Sequence, residues 1–349
     1  MDSLIDSSID TAALTGDTAC TASANLWAWI AGSCIAFSYV VSLYIHPFGE
    51  RLLAFPQGER NDPAEIRSRF QRVFYASIFS FLVSAAYQYA FALGKLGPTT
   101  ELLQILLKTG FRLVGLPCAV CIPVLLTLIL FLGPLVGDYV MGRFQGYNRA
   151  FVSLFYHNRY FRRKILRDSL FSLIWWRAYV VAPISEEFVY RACLVPVILH
   201  CFGSTAAIIV SPLAFGVAHL HHIFDRIRLG ASAVEAITTT LFQIFYTSLF
   251  GAYSAYLFVR TGHFIAPVLV HALCNSMGVP DVAAFKSQQR IVIGVMYFLG
   301  LFLWMGLISS YRSMVLRYRP RSRKQEESAL LKIYLCLGGL PASEGMQYS

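Results

Sequence analysis

The chain has 349 residues, 56% of them hydrophobic and only 14% charged, with a mean hydropathy of +0.57. A soluble domain carries about a quarter charged residues, so this composition excludes a soluble globular protein and indicates a polytopic one embedded in a bilayer. The net charge of +10 does not indicate a nucleic-acid partner: Lys and Arg lie in short segments between apolar runs, as the positive-inside rule expects, where they meet the anionic head groups of a lipid bilayer.

The first segment, 1–24, is acidic and rich in Ser and Thr, and no Lys or Arg precedes Arg51. It lacks the basic start of a signal peptide, so none is expected. Asp2 excludes myristoylation, and "MQYS" has no Cys four from the end, so the chain is not expected to be prenylated itself. Apolar runs of spanning length fall at about 26–45, 73–93, 113–137, 170–202, 205–219, 236–259, 263–279 and 291–311. The predicted fold class is therefore all-α: a membrane-embedded bundle of about seven or eight helices spanning 25–312, around a cavity, followed by a basic tail, 313–349.

The runs at 205–219 and 263–279 are short and carry Pro212 and Pro267, the pattern of helices that enter a cavity. Arg51, Arg60, Arg67, Arg69 and Arg72 follow the first run; Arg143, Arg149, Arg159, Arg162, Arg163, Lys164 and Arg167 follow the third. Both loops are expected to face the cytosol, with the N-terminal tail across the membrane. The tail after the last run is also basic, from Arg312 through Lys324. Eight full crossings would place it with the N-terminus, so one of the two short runs is expected not to cross.

Of eight cysteines, Cys34, Cys118, Cys121, Cys193 and Cys274 sit in apolar runs, where Cys acts as a small hydrophobe. Cys118 and Cys121 have CxxC spacing but no redox context, and no disulfide framework is legible.

"PISEEFVYRA", 183–192, puts three charges in an otherwise apolar run. At the centre of a membrane helix each costs about 2.5–3.5 kcal/mol, so such groups pair, face cavities and mark function. Glu187 and Arg191 are four apart in the favourable order for a helical ion pair. Glu186 is turned about 100° away and has no cation on its own helix, a placement suited to acid–base work.

In "SPLAFGVAHLHHIF", Phe215 and His219 share a helix face, and Gly216 and Ala218 permit close approach. His221 and His222, beside "DRIRLG", read as head-group residues. In "PVLVHALCNSMG", His271 and Asn275 are again four apart, as interhelical glue or as two donors aimed at one point. A water between Glu186 and His219 could be deprotonated, with His271 and Asn275 holding the oxygen of a tetrahedral intermediate. There is no HExxH, no GxSxG, and nothing to activate Cys274 as a nucleophile.

"EEFVYR", "FGVAH" and "HALCN" read as EExxxR, FxxxH and HxxxN, in that order in separate apolar runs. They resemble the CAAX protease and bacteriocin-processing family of intramembrane glutamyl proteases, and within it the type II CAAX prenyl endopeptidases, the Ras-converting enzymes; 110–135 also looks like a helix of that group. The resemblance covers roughly 110–280. It implies catalytic Glu186, His219, His271 and Asn275, supporting Glu187, Arg191 and Phe215, and no metal or other cofactor. It also implies removal of the last three residues of prenylated CaaX proteins such as Ras-type small GTPases, at the endoplasmic reticulum membrane with the site open to the cytosol. Two alternatives stand beside it. One is a metalloprotease using Glu186, Glu187, His219 and His271 as ligands; the other is a membrane transporter or scaffold whose polar groups line a pathway.

Overall fold

The computed structural model describes residues 20–45, 61–93, 98–141, 172–278 and 288–317, with side chains except at 98–100 and 311–317. The basic residues from Arg143 through Arg167 and from Arg319 through Lys324, with Arg51, Arg60 and the apolar patch after 325, lie outside the described residues.

Every regular element in these ranges is a helix. They are α1 (Ala22–Ser42), α2 (Pro63–Tyr87), α3 (Pro98–Lys108), α4 (Leu116–Leu130), α5 (Leu132–Val140), α6 (Leu173–Trp176), α7 (Ala182–Glu187), α8 (Leu194–Val217), α9 (His221–Arg228), α10 (Ala233–Thr261), α11 (Ile265–Met277) and α12 (Arg290–Arg317). Their starts follow local chemistry. Thr21 accepts from the amide of Ala24, Asp62 from that of Glu65 with Pro63 at the first helical position, and Ser232 from that of Glu235. Gly262, at φ 66°, ends α10 in the left-handed conformation a side chain resists.

Among the described residues, four uninterrupted runs are long and apolar enough to cross a membrane, or five if α4 and α5, bent by 60°, form one span. One of them, Leu173–Arg228, has 56 residues, about 84 Å if straight and far beyond a bilayer core of about 30 Å. It does not run straight. Gly203, at φ 74° and ψ 178°, breaks it inside α8. Beyond the break Ser211 Oγ donates to the Tyr190 carbonyl at 2.8 Å and the Tyr190 and Phe215 rings meet at 5.1 Å. In a straight helix, residues 190 and 211 would stand about 31 Å apart. The run is a hairpin with two crossing arms.

This corrects the expectation for 205–219. That run is not a short independent segment; it continues through the 3₁₀ turn Ala218–Leu220 and α9 to Arg228 and is long enough to span. The other short run is α11, whose 13 residues reach only about 20 Å.

Outward faces are apolar, with Leu26, Phe37, Leu82, Phe298 and Phe302 among the exposed side chains, as lipid contact requires. Inside, Ile35 and Tyr39 of α1, Val73 of α2, Tyr190, Leu194 and Ile198 of the first arm and Phe215 of the second form one cluster. Gly32 lets α1 close on the first arm, where a Cβ would lie 3.3 Å from Leu194. Gly216 serves the same purpose against α10, as the sequence indicated; a Cβ there would lie 3.2 Å from the Ile244 carbonyl.

Cys20 and Cys201 form a disulfide with their Cα atoms 5.4 Å apart. No local signal announced it, because the partners are 181 residues apart. It ties the start of α1 to the turn of the hairpin. The other five described cysteines are free, Cys118 and Cys121 included.

Candidate active site

A cavity of about 1080 Å³ opens where α1 ends, α2 begins, the first hairpin arm begins and the second arm ends. Leu43, Arg69, Arg177 and Arg228 line it there. The disulfide lies at the other end of α1, a helix of 21 residues or about 32 Å. Cavity mouth and disulfide are thus at opposite faces of the bundle.

Two π turns, Arg177–Val181 and Phe188–Cys193, bracket α7 and its two glutamates. Such turns release carbonyls from the helix ladder and recur at functional sites. Here hydroxyls take them up: Ser211 on the Tyr190 carbonyl, and Ser84 on that of Cys193 at 2.8 Å.

The adjacent carboxylates have different surroundings. Glu187 is fully buried and every contact is accounted for. Its Oε2 lies 3.1 Å from Arg191 Nε and accepts from Ser254 Oγ at 2.6 Å; its Oε1 accepts from His271 Nδ1 at 2.8 Å. Arg191, equally buried, donates through Nη2 to the Gly251 carbonyl at 3.2 Å and lies over the Phe215 ring at 4.8 Å. Glu186 lines the cavity wall, with its Oε2 at 3.8 Å from His271 Nε2. The ring of His271 is therefore held between the two carboxylates.

His219 also lines the cavity. Its Nδ1 donates to the Phe215 carbonyl at 2.9 Å, which leaves Nε2 of the neutral ring as an acceptor. Asn275 completes the wall and donates through Nδ2 to the Ala178 carbonyl at 2.9 Å, one of its two amide hydrogens. The structure thus brings Glu186, His219, His271 and Asn275 to one cavity, with Phe215 in the same wall and Glu187 and Arg191 packed behind. A peptide bond entering it would meet two acceptors able to take hydrogens from a water, with the His271 ring and the remaining amide hydrogen of Asn275 beside them.

The profile of the family described as type II CAAX prenyl endopeptidase Rce1-like matches residues 168–277. "CAAX prenyl protease 2" of Homo sapiens is 38% identical over 292 residues, 81% of this chain and 82% of the human protein. The protein of the same name in Caenorhabditis elegans is 28% identical over 82% of this chain and 98% of its own length, and that of Saccharomyces cerevisiae 30% identical over 74% and 82%. The chain belongs to the type II CAAX prenyl endopeptidase family. No solved structure matches it significantly.

Several groups of this cavity were not found from the sequence. Tyr39, whose hydroxyl is 3.0 Å from Ser185 Oγ, stands in the cavity wall with Glu186, and Ser254 holds Glu187. Neither hydroxyl has a spacing signal; each matters through a partner distant in sequence. His221 and His222, read as head-group residues, line the cavity mouth and are half-buried. His222 Nδ1 lies 3.5 Å from Asp225 Oδ2. Among the described residues, two sets bring potential ligand atoms close enough together for a metal, His221, His222 and Asp225, and Cys20, His200 and Cys201, but the two cysteines of the second are closed in the disulfide. Neither includes a glutamate.

Proposed function

We propose that this endopeptidase removes the C-terminal tripeptide from prenylated CaaX proteins, Ras-type small GTPases among them. It does so in the endoplasmic reticulum membrane, with the cavity open to the cytosol. The observation that carries the reading is the joint placement of Glu186, His219, His271 and Asn275 on one cavity wall.

Water sits between Glu186 and Nε2 of His219. Glu186 takes its proton as the oxygen attacks the carbonyl carbon of the prenylated cysteine. The His271 ring, oriented by Glu187, and the second amide hydrogen of Asn275 stabilise the resulting oxyanion. Glu186 returns the proton to the departing amide nitrogen, the C–N bond breaks, and a prenylcysteine carboxylic acid, which then loses its proton to solvent, and a tripeptide with a free amine result. A membrane site suits this substrate, because each buried CH₂ of the isoprenoid contributes about 0.8 kcal/mol to binding.

The metalloprotease alternative fits the donor set poorly, because Arg191, Ser254 and His271 already occupy both oxygens of Glu187. The test uses purified full-length protein and a farnesylated CaaX peptide. Glu186→Ala and His219→Ala are each expected to lower kcat by about 100-fold or more with unchanged folding, and chelators to have no effect. Normal cleavage by both variants would overturn the site assignment. Loss with chelator and recovery with metal would favour the metal reading, and the absence of any peptide product would favour a transporter or scaffold.

A further inference from the structure

We propose that Arg226 binds the free C-terminal carboxylate of the substrate, and that its distance from His219 sets the cut three residues from the chain end. The inference rests on the prenyl-peptide reading above and deepens it. His219 and Arg226 both line the cavity, on one continuous helical stretch made of the 3₁₀ turn and α9. They are seven positions apart, two turns, so they share a face. Counting 3₁₀ and α rises, the separation along the axis is about 11 Å. Three extended residues span about 10–11 Å. A peptide whose scissile carbonyl lies at Glu186 and His219 therefore brings its terminal carboxylate to Arg226 when three residues follow the cut.

The surroundings of Arg226 favour an incoming anion. Its Nη2 donates to the neutral amide of Gln243, Oε1 at 3.3 Å, while its Nε is buried without a hydrogen-bond partner. Among the described residues no carboxylate pairs with it: Asp225 faces His222. Arg69, also at the mouth, is engaged by Glu65 at 2.7 Å. A guanidinium fork matches a carboxylate in two parallel bonds, and this one carries a donor with nothing yet to donate to.

Full-length enzyme is assayed on two farnesylated CaaX peptides, one ending in the free acid and one in the primary amide. Wild type is expected to favour the acid by about tenfold or more in kcat/KM, mostly through KM. Arg226→Ala is expected to cleave the two about equally, Arg226→Lys to keep part of the preference, and Arg228→Ala to keep all of it. A wild type indifferent to amidation overturns the proposal, and that arm needs no variant to fold. So does Arg226→Ala or Arg226→Lys with the full wild-type preference. If wild type cleaves neither peptide, it is the prenyl-peptide reading that fails.

Discussion

Replacing Glu187 by Gln changes almost no volume and removes one charge from a fully buried pair. The carboxylate is the hub of three contacts: Arg191 at 3.1 Å, Ser254 at 2.6 Å and His271 at 2.8 Å. The guanidinium left behind has no exposure to water, and breaking a buried pair from one side costs about 3–5 kcal/mol. That is a large share of the roughly 5–15 kcal/mol that holds a typical domain folded. At roughly 2–4 °C per kcal/mol, the midpoint of thermal unfolding in detergent should fall by roughly 6–20 °C. Peptide cleavage should fall by about two orders of magnitude or more, because the His271 ring loses the anion that orients it. The double variant Glu187→Gln/Arg191→Met separates the two effects. With both charges gone, most of the stability should return, while activity stays low. A single variant whose midpoint lies within about 2 °C of wild type, or a double variant with restored activity, would refute the division between structural charge and oriented imidazole.

Three further outcomes follow from the packing. A Cβ on Gly251 would lie 2.8 Å from Pro212 Cβ and 2.9 Å from Arg191 Nη2, so Gly251→Ala should destabilise by about 1–3 kcal/mol and lower cleavage by displacing Arg191; wild-type melting and kinetics together would refute it. Cys201→Ser should lower stability by about 2–4 kcal/mol yet leave kcat unchanged, because the disulfide lies at the far end of the bundle from the cavity. An impermeant maleimide applied to sealed vesicles after reduction should not reach these cysteines from the side on which the cavity opens; labelling from that side would refute the placement.

Much of the site was legible because helices make spacing informative. Glu187 and Arg191, four apart, do pair, and the three motif-bearing runs do meet at one cavity. What stayed hidden has a physical cause in each case. The apolar run of the second hairpin arm ends at 219, and "HHIFDRIR" is too polar to read as its continuation in lipid; the arm continues as α9, an amphipathic helix at the cavity mouth whose charges border the opening. The break itself showed only as the gap between the runs at 170–202 and 205–219, and only a positive φ at Gly203 turns a break into a reversal. Ser254 and Tyr39 could not be found, since a lone hydroxyl in an apolar helix has no periodicity and its partner is known only from packing.

The pair of adjacent glutamates is explained by that same packing. Neighbours on a helix point about 100° apart, so one carboxylate can be sealed among Arg191, Ser254 and His271 while the next faces the cavity. A single glutamate could not both anchor the imidazole and remain open to a water. Two in succession divide the roles without a second helix having to be placed, and the shared ring of His271, 2.8 Å from one and 3.8 Å from the other, couples them. If the anchor and the base are distinct, exchanging their surroundings should fail. Glu186→Gln should therefore retain the thermal midpoint that Glu187→Gln loses, although both should lower cleavage, and equal destabilisation by the two would show that the roles are not divided.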